Sequence, residues 1–185
     1  MQAIRPNLQL LRLMSVIIAN VIISPMNADN LDTDLEYRVK AGFLGNFAKF
    51  VRWPTAFLPK ADSPYVIGIL GEDPFGSVID QAIDGFTIGG KNVVIKRFND
   101  VASLEFCHIL FISRSQKVHL DHIFTSLQRV PTLTVGEMSN FCQKGGMINF
   151  IFIENNIRFE VNSNAAQKAQ LKLSSNLLSL AKAIY

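Results

Sequence analysis

Residues 65–83, YVIGILGEDPFGSVIDQAI, decide the fold class. They begin with six apolar residues of strand character and continue into a turn in which Asp73 can cap a helix and Pro74 can occupy its first position. NVVIKRF, HILFIS and TLTVG supply further short strands, and the segment between the last two, SRSQKVHLDHIFTSLQ, has helical spacing. Strands that alternate with helices predict a parallel sheet covered by helices, because a parallel connection needs a crossover long enough to hold a helix.

The helical segment between HILFIS and TLTVG has its own start signal. Ser113 and Gln116 have the spacing of a capping box, in which two side chains bond the free amide hydrogens at a helix start. Val118, Ile123 and Leu127, together with Phe124, are expected to form the buried face of this helix.

A second capping box, Thr33 to Glu36, predicts a helix that starts at Thr33. Pro54 disfavours helical backbone at Trp53, so we expect the helix to end near Val51.

This first helix carries more aromatic side chains than one face usually buries. Phe43, Phe47 and Val51 are predicted to pack in the core. Phe50 and Trp53 fit equally well in the core or in an interface with a second copy of the chain. The surplus of apolar surface predicts self-association.

The C-terminal part of the chain changes from alternation to a hairpin. GGMINFIFIENNIRFEVN contains two strand-like runs around Asn155 and Asn156, a pair that tolerates left-handed backbone and therefore predicts a turn. Alternation along the second run places Phe159 inward and Glu160 outward. A final helix is expected from about Ser174 through LLSLAKAI.

Residues 1–28 are predicted to be a secretory signal peptide that is removed. Arg5 and Arg12 precede an apolar run over residues 13–23. A membrane span needs about 20 apolar residues, which this run does not reach. The alternatives are an uncleaved anchor and a buried first helix.

We expect residues 29–185 to form a single exported domain, located in a bacterial periplasm. Without residues 1–28 the chain has 16 Lys and Arg against 15 Asp and Glu, a net charge of +1. This balance, without a basic cluster, argues against a nucleic-acid partner.

Candidate catalytic chemistry is sparse. Gly71 and Gly76 flank a strand-to-helix turn but lack the Lys-Ser/Thr of a phosphate-binding loop, so a plain turn is favoured over a nucleotide site. His119 and His122 lie three residues apart on a helix, but no pattern of Glu or Asp completes a known metal site, so a solvated helix face is favoured; His108 begins a strand. We predict no catalytic, cofactor-binding or metal-binding residues, and a protein that is not an enzyme.

The chain has two cysteines, Cys107 and Cys142. An even number of cysteines in an exported chain predicts one disulfide. The alternative is two buried thiols that pack as small apolar groups.

Six motifs, in order along the chain, resemble the YfiR family of exported bacterial proteins. They are VKAGFLGNFAKFVRWP, YVIGILGEDPFG, CHILFIS, LTVGEMSNFCQKGGMINF, IRFEVN and LKLSSNLLSLAK. The resemblance implies a single-domain α/β sandwich, with a largely parallel, Rossmann-like sheet flanked by helices. It also implies a dimeric periplasmic repressor that binds the periplasmic part of an inner-membrane diguanylate cyclase. Such a repressor keeps cyclic di-GMP low until an outer-membrane-associated lipoprotein sequesters it.

The resemblance also suggests which residues bind the partner. It points to Ile148, Glu160 and Ala166, in the hairpin and the segment that follows. The alternative for each residue is a role without binding. Ile148 would then be a strand residue in the core, Glu160 a solvated acid and Ala166 an ordinary helix residue.

The cysteines depart from the resemblance. It implies two disulfides, with Cys107 and Cys142 in different pairs. The position expected to pair with Cys142 holds Asn149, and residues 65–70 offer no partner for Cys107. The single disulfide predicted from cysteine number is therefore in doubt.

The sequence also allows a function of a different class, the binding of a small molecule. The chain could be a periplasmic module that senses a nucleotide or an amino acid, with the ligand near residues 71–76 or near Lys172.

Overall fold

The computed structural model describes residues 28–61, 63–154 and 156–185, so all of the predicted signal peptide except its last residue lies outside it. Within the described residues, no helix combines the length and the hydropathy that crossing a bilayer requires.

The described residues form five α-helices and ten strands. The helices are α1 (Ala28–Phe47), α2 (Ser77–Ile83), α3 (Leu120–Ser126), α4 (Ser163–Lys168) and α5 (Ser175–Leu180). The strands are β1 (Val51–Arg52), β2 (Tyr65–Leu70), β3 (Thr87–Ile88), β4 (Lys91–Phe98), β5 (Ile109–Ile112), β6 (Leu133–Gly136), β7 (Ile148–Ile153), β8 (Asn156–Val161), β9 (Lys172–Leu173) and β10 (Ala183–Ile184).

The central sheet is mostly parallel, as the alternation predicted. Its strand order is β10-β8-β7-β6-β5-β2-β4-β3. The five strands from β4 to β7 in this order run parallel, while β8 is antiparallel to β7 and β3 is antiparallel to β4. The single-domain α/β fold with a C-terminal hairpin is thereby confirmed.

Alternating residues of the central strands point to two cores. Ile109 and Phe111 face the larger core, which is covered by α1, α2, α4 and α5. Leu110 and Ile112 face the smaller core, which α3 and the adjoining loops cover. Period-two alternation accounts for this division, because neighbouring strand residues face opposite sides of the sheet.

The start of α1 was predicted wrongly. The helix begins at Ala28, not at Thr33. The Glu36 carboxylate accepts a hydrogen bond from Lys40 Nζ one turn later, instead of serving as the acid of a capping box. The helix ends at Phe47 and continues as a 3₁₀ turn over Ala48–Phe50.

The starts of the next two helices also differ from the prediction. Asp73 Oδ1 accepts from Phe75 N at 2.8 Å and closes a turn, so α2 begins only at Ser77. Ser113 does cap the following segment, but that segment opens as a 3₁₀ helix, Arg114–His119. Because a 3₁₀ helix has three residues per turn, Val118 is 84% exposed instead of facing the core.

The hairpin is present with its turn shifted by one residue. Ile153 pairs with Asn156, so the turn includes Glu154, whose φ is 49°. The predicted turn residue Asn155 lies outside the described residues. The predicted final helix stops at Leu180, and the chain then adds β10 alongside β8. The small β1-β9 sheet was not predicted, because its strands have only two residues each.

Candidate functional site

The three predicted partner-binding residues lie in one region, but only one of them reaches the surface. Ile148 begins β7 and Ala166 lies in α4, and both are buried in the larger core. Glu160 lies in β8 and is half-buried on the opposite face of the hairpin. A role for Ile148 or Ala166 in binding would therefore act through the shape of the hairpin and α4. The partner-binding assignment stays a prediction.

Glu160 is held by two neighbours. Its Oε2 accepts from Asn149 Nδ2 at 3.4 Å, across the β7-β8 pair, and its Oε1 accepts from the Tyr185 hydroxyl at 3.3 Å. These bonds are long, so they orient the carboxylate without removing it from solvent. The predicted outward direction is correct, and the predicted full exposure is replaced by partial cover from the chain end.

The two candidate interface residues have different surroundings. Trp53 is 6% exposed and packs edge-on against Tyr65 and His108. Phe50 is half-buried and lines an apolar groove of about 210 Å³ between α1 and α5, beside Leu180. Phe50 therefore offers apolar surface to a second copy, whereas Trp53 packs internally. Their interface role stays a prediction.

A buried charge network, which sequence reasoning missed, lies at the carboxyl edge of the sheet. Glu137 directly follows β6, and Lys40 on α1 reaches it from the covering layer. Both are almost fully buried, at 7% and 3% exposed. One feature of the sequence could have indicated this network. Lys40 stands between Tyr37 and Ala41 on the apolar stripe of α1, and a charged side chain buried there needs a partner of opposite charge.

Both oxygens of Glu137 are occupied. Lys40 Nζ donates to Oε2, and the Tyr37 hydroxyl donates to Oε1 at 2.9 Å. Arg114 Nε lies 3.4 Å from the same Oε1, and Lys40 also bonds Glu36. Burial, followed by the charge of Glu137, raises the pKa of Tyr37. This closed network fixes α1 over the strand ends.

The turn over residues 71–76 is filled by the protein itself. Ser115 Oγ accepts from Glu72 N at 3.0 Å, and Arg97 bonds Asp73, Asp80 and the Gly76 carbonyl. Carboxylates in this position repel a phosphate, which agrees with a plain turn.

Lys172, the other position considered for a ligand, is exposed in the two-residue strand β9.

The predicted disulfide is wrong, because both cysteines are free and buried. Burial raises the pKa of each thiol to about 12, so both stay protonated and unreactive. A Cβ atom added at Gly68 would lie 2.6 Å from Cys107 Sγ. Position 68 in β2 therefore faces this thiol directly, and a glycine there leaves the sulfur room to pack.

The histidines do not form a shared site. His108 Nδ1 accepts from Val66 N at 3.0 Å and its Nε2 donates to Phe57 O at 3.1 Å, so both ring nitrogens are used. Burial lowers the pKa of His108. His119 and His122 are exposed, and no group of three or more metal-ligating side chains occurs among the described side chains, those of residues 33–61, 63–154 and 156–185.

A cavity of about 550 Å³ lies at the opposite, amino edge of the sheet. Thr132 and Thr134 at the start of β6, Met147 before β7 and Asn162 after β8 contribute to its wall. Three basic residues, Arg129, Lys144 and Lys168, surround it. Sequence reasoning missed this cavity because its wall combines residues from separate segments, and no local pattern shows that these segments meet.

Comparison with solved structures shows the fold alone. A conserved domain protein from Vibrio cholerae O1 biovar El Tor matches with a TM-score of 0.50 and 10% identity, over 65% of this chain and 54% of that chain. An ABC domain from Streptococcus pneumoniae in complex with L-Trp matches with a TM-score of 0.56 and 9% identity, over 78% of this chain and 60% of that one. The chain thus spans less than two thirds of the length of either structure.

No protein of curated function matches the chain. A family model described as YfiR/HmsC-like matches residues 37–182. This match covers both cores, the hairpin and the central sheet apart from its edge strand β10. The chain therefore belongs to the YfiR/HmsC-like family.

Proposed function

We propose that the chain is a periplasmic regulatory protein that binds and represses an inner-membrane diguanylate cyclase, and so lowers cyclic di-GMP. The observation that carries this proposal is the YfiR/HmsC-like match over residues 37–182. The proposal includes removal of residues 1–28 on export, a non-enzymatic mode of action and release of the cyclase when an outer-membrane lipoprotein sequesters the chain.

The hairpin is the proposed contact surface, and it offers two different faces. On the α1 side, Phe152 and Leu35 are each 60% exposed and, with Val39 and Ile157, form what we call the hairpin patch. Exposed apolar side chains that lie together mark interaction surfaces. On the other side, Glu160 presents a half-exposed carboxylate.

Charge reversal and an apolar-to-charged change test the two faces separately. Glu160→Lys and Phe152→Asp are expected to raise cyclic di-GMP in cells that carry the cyclase, because a charge mismatch at an interface costs several kcal/mol. Glu160→Lys should lower the free energy of unfolding by only about 1 kcal/mol, since it loses two long hydrogen bonds.

The matched controls are Asp121→Lys on α3 and Val118→Asp, both exposed and distant in sequence from the hairpin. Cyclic di-GMP should stay low in both controls. If all four variants repress as the parent does while remaining folded, the hairpin is not the contact surface. If the parent chain itself leaves cyclic di-GMP unchanged, repression is excluded.

Self-association through the groove beside Phe50 belongs to the same proposal. Phe43, Phe47, Phe159 and Leu177 supply the rest of its apolar wall, and Leu180 on its rim is exposed. Phe50→Asp should shift the sedimentation of the protein from dimer to monomer, while Phe57→Asp, in the loop before β2, should not. A parent protein that sediments only as a monomer at micromolar concentration would contradict this part.

A further inference from the structure

We propose that the cavity at the amino edge of the sheet binds a small organic anion, a molecule with a carboxylate or phosphate group attached to an apolar body. This cavity is separate from the hairpin patch, from the groove beside Phe50 and from the charge network of Glu137. Its volume of about 550 Å³ falls within the roughly 300–1,000 Å³ typical of small-molecule sites.

The charges around the cavity have one sign. Arg129 comes from the loop after α3, Lys144 from the loop before β7 and Lys168 from the end of α4. Among the residues that the structure describes, no aspartate or glutamate lines the wall. Within the part of the chain that the structure describes, none of these three cations forms an ion pair. Cations converging on a concave surface without counter-charges attract anions.

The wall between the cations is apolar. Phe124 and Leu127 border it on the side of α3, Met147 lies at the base of β7, and Ala165 and Ala169 line it along α4. A site with apolar walls and a few polar groups favours an organic molecule over a bare inorganic ion.

Hydrogen bonds hold the wall in place without a ligand. The Thr132 hydroxyl donates to the Cys107 carbonyl at 2.7 Å, and Thr134 Oγ1 accepts from Met147 N at 3.1 Å. Asn162 ties the start of α4 to the loop between β6 and β7, since its Oδ1 accepts from Ala165 N at 2.8 Å and its Nδ2 donates to the Cys142 carbonyl at 2.7 Å. A preformed wall reduces the ordering cost of binding.

Fluorescence titration with anilinonaphthalene sulfonate tests the proposal, because this dye joins an aromatic body to one anionic group. The exported protein should bind it saturably at one site. The uncharged dye that lacks the sulfonate should bind about tenfold more weakly. Arg129→Glu and Lys168→Glu should each weaken binding of the sulfonate by about tenfold, since a reversed charge costs about 1.4 kcal/mol or more at a complementary site.

Lys117→Glu is the matched control, because Lys117 is exposed on the 3₁₀ helix and does not line the cavity. It should leave the affinity within about twofold of the parent. Amide resonances of Thr134, Met147 and Ala165 should shift during the titration. Absence of saturable binding, equal affinity in all three variants, or shifts confined to the groove beside Phe50 would overturn the proposal.

Discussion

At the carboxyl edge of the sheet, Lys40 and Glu137 are buried against each other, whereas at the amino edge Arg129, Lys144 and Lys168 surround an open cavity without a carboxylate. In open α/β sheets, ligands usually bind beyond the carboxyl ends of the strands. Here side chains of α1 fill that position with a closed network. The comparison indicates that, in this chain, one edge stabilises the fold and the other edge is free to bind.

The largest difference between the two edges should appear when one cation is removed from each. Lys40→Met leaves the buried Glu137 carboxylate without its closest cation and should lower the free energy of unfolding by about 3 kcal/mol or more. Lys168→Met removes an exposed, unpaired cation and should change the free energy of unfolding by less than about 0.5 kcal/mol. Urea unfolding of both variants measures this. Equal losses would break the distinction between a structural edge and a binding edge.

A smaller effect is expected from the hydroxyl that completes the network. Tyr37→Phe deletes the hydrogen bond to Glu137 Oε1 and should cost about 1–2 kcal/mol at neutral pH. Thermal and urea unfolding report the loss. A variant as stable as the parent would mean that Arg114 or water replaces the hydroxyl at no cost.

The pH dependence of the stability of Tyr37→Phe tests whether the Tyr37 hydroxyl is the group that contributes. The folded state raises the pKa of Tyr37, so the phenol of the unfolded chain ionises first as pH rises. Stability from this group is present below about pH 10 and is lost as pH rises above that value. The parent should therefore lose stability more steeply than Tyr37→Phe above pH 10. Tyr65, whose pKa burial also raises, contributes to both proteins and cancels in the difference.

The smallest effect concerns salt. The Lys40–Glu137 pair is buried, so the stability difference between the parent and Lys40→Met should change little with ionic strength. Binding of the sulfonate dye depends on exposed cations and should weaken severalfold between low and high salt. A dye affinity that does not respond to salt would indicate that the apolar wall alone binds it.

The longer strands of the central sheet, β2 and β4 to β8, were predictable because each is a short run of strand character bounded by turn residues, whereas the two-residue strands were not. Residues 65–70 form β2 as predicted, and the alternation along the hairpin correctly places Phe159 inward. Helix starts were less predictable. Asp73 closes a turn and Ser113 opens a 3₁₀ segment. In each case the side chain bonds a free amide hydrogen, as the cap of an α-helix would, so the sequence pattern does not separate these structures.

The two edges could not be predicted from local patterns. Lys40 and Glu137 are 97 residues apart in sequence, and only the packing of α1 over β6 brings them together. The cavity likewise depends on two loops and the end of α4, whose cations have ordinary surroundings in the sequence. In both cases the deciding property is whether a charge has a partner, and tertiary contacts determine this.

The central claim is that this chain binds a membrane diguanylate cyclase. The most direct test is calorimetric titration of the exported protein with the periplasmic domain of an inner-membrane diguanylate cyclase from the same organism. The account predicts saturable binding with a Kd of about 1 μM or tighter, weakened about a hundredfold or more by Glu160→Lys or by Phe152→Asp and unchanged by Asp121→Lys. No detectable binding by the folded parent protein would contradict the account.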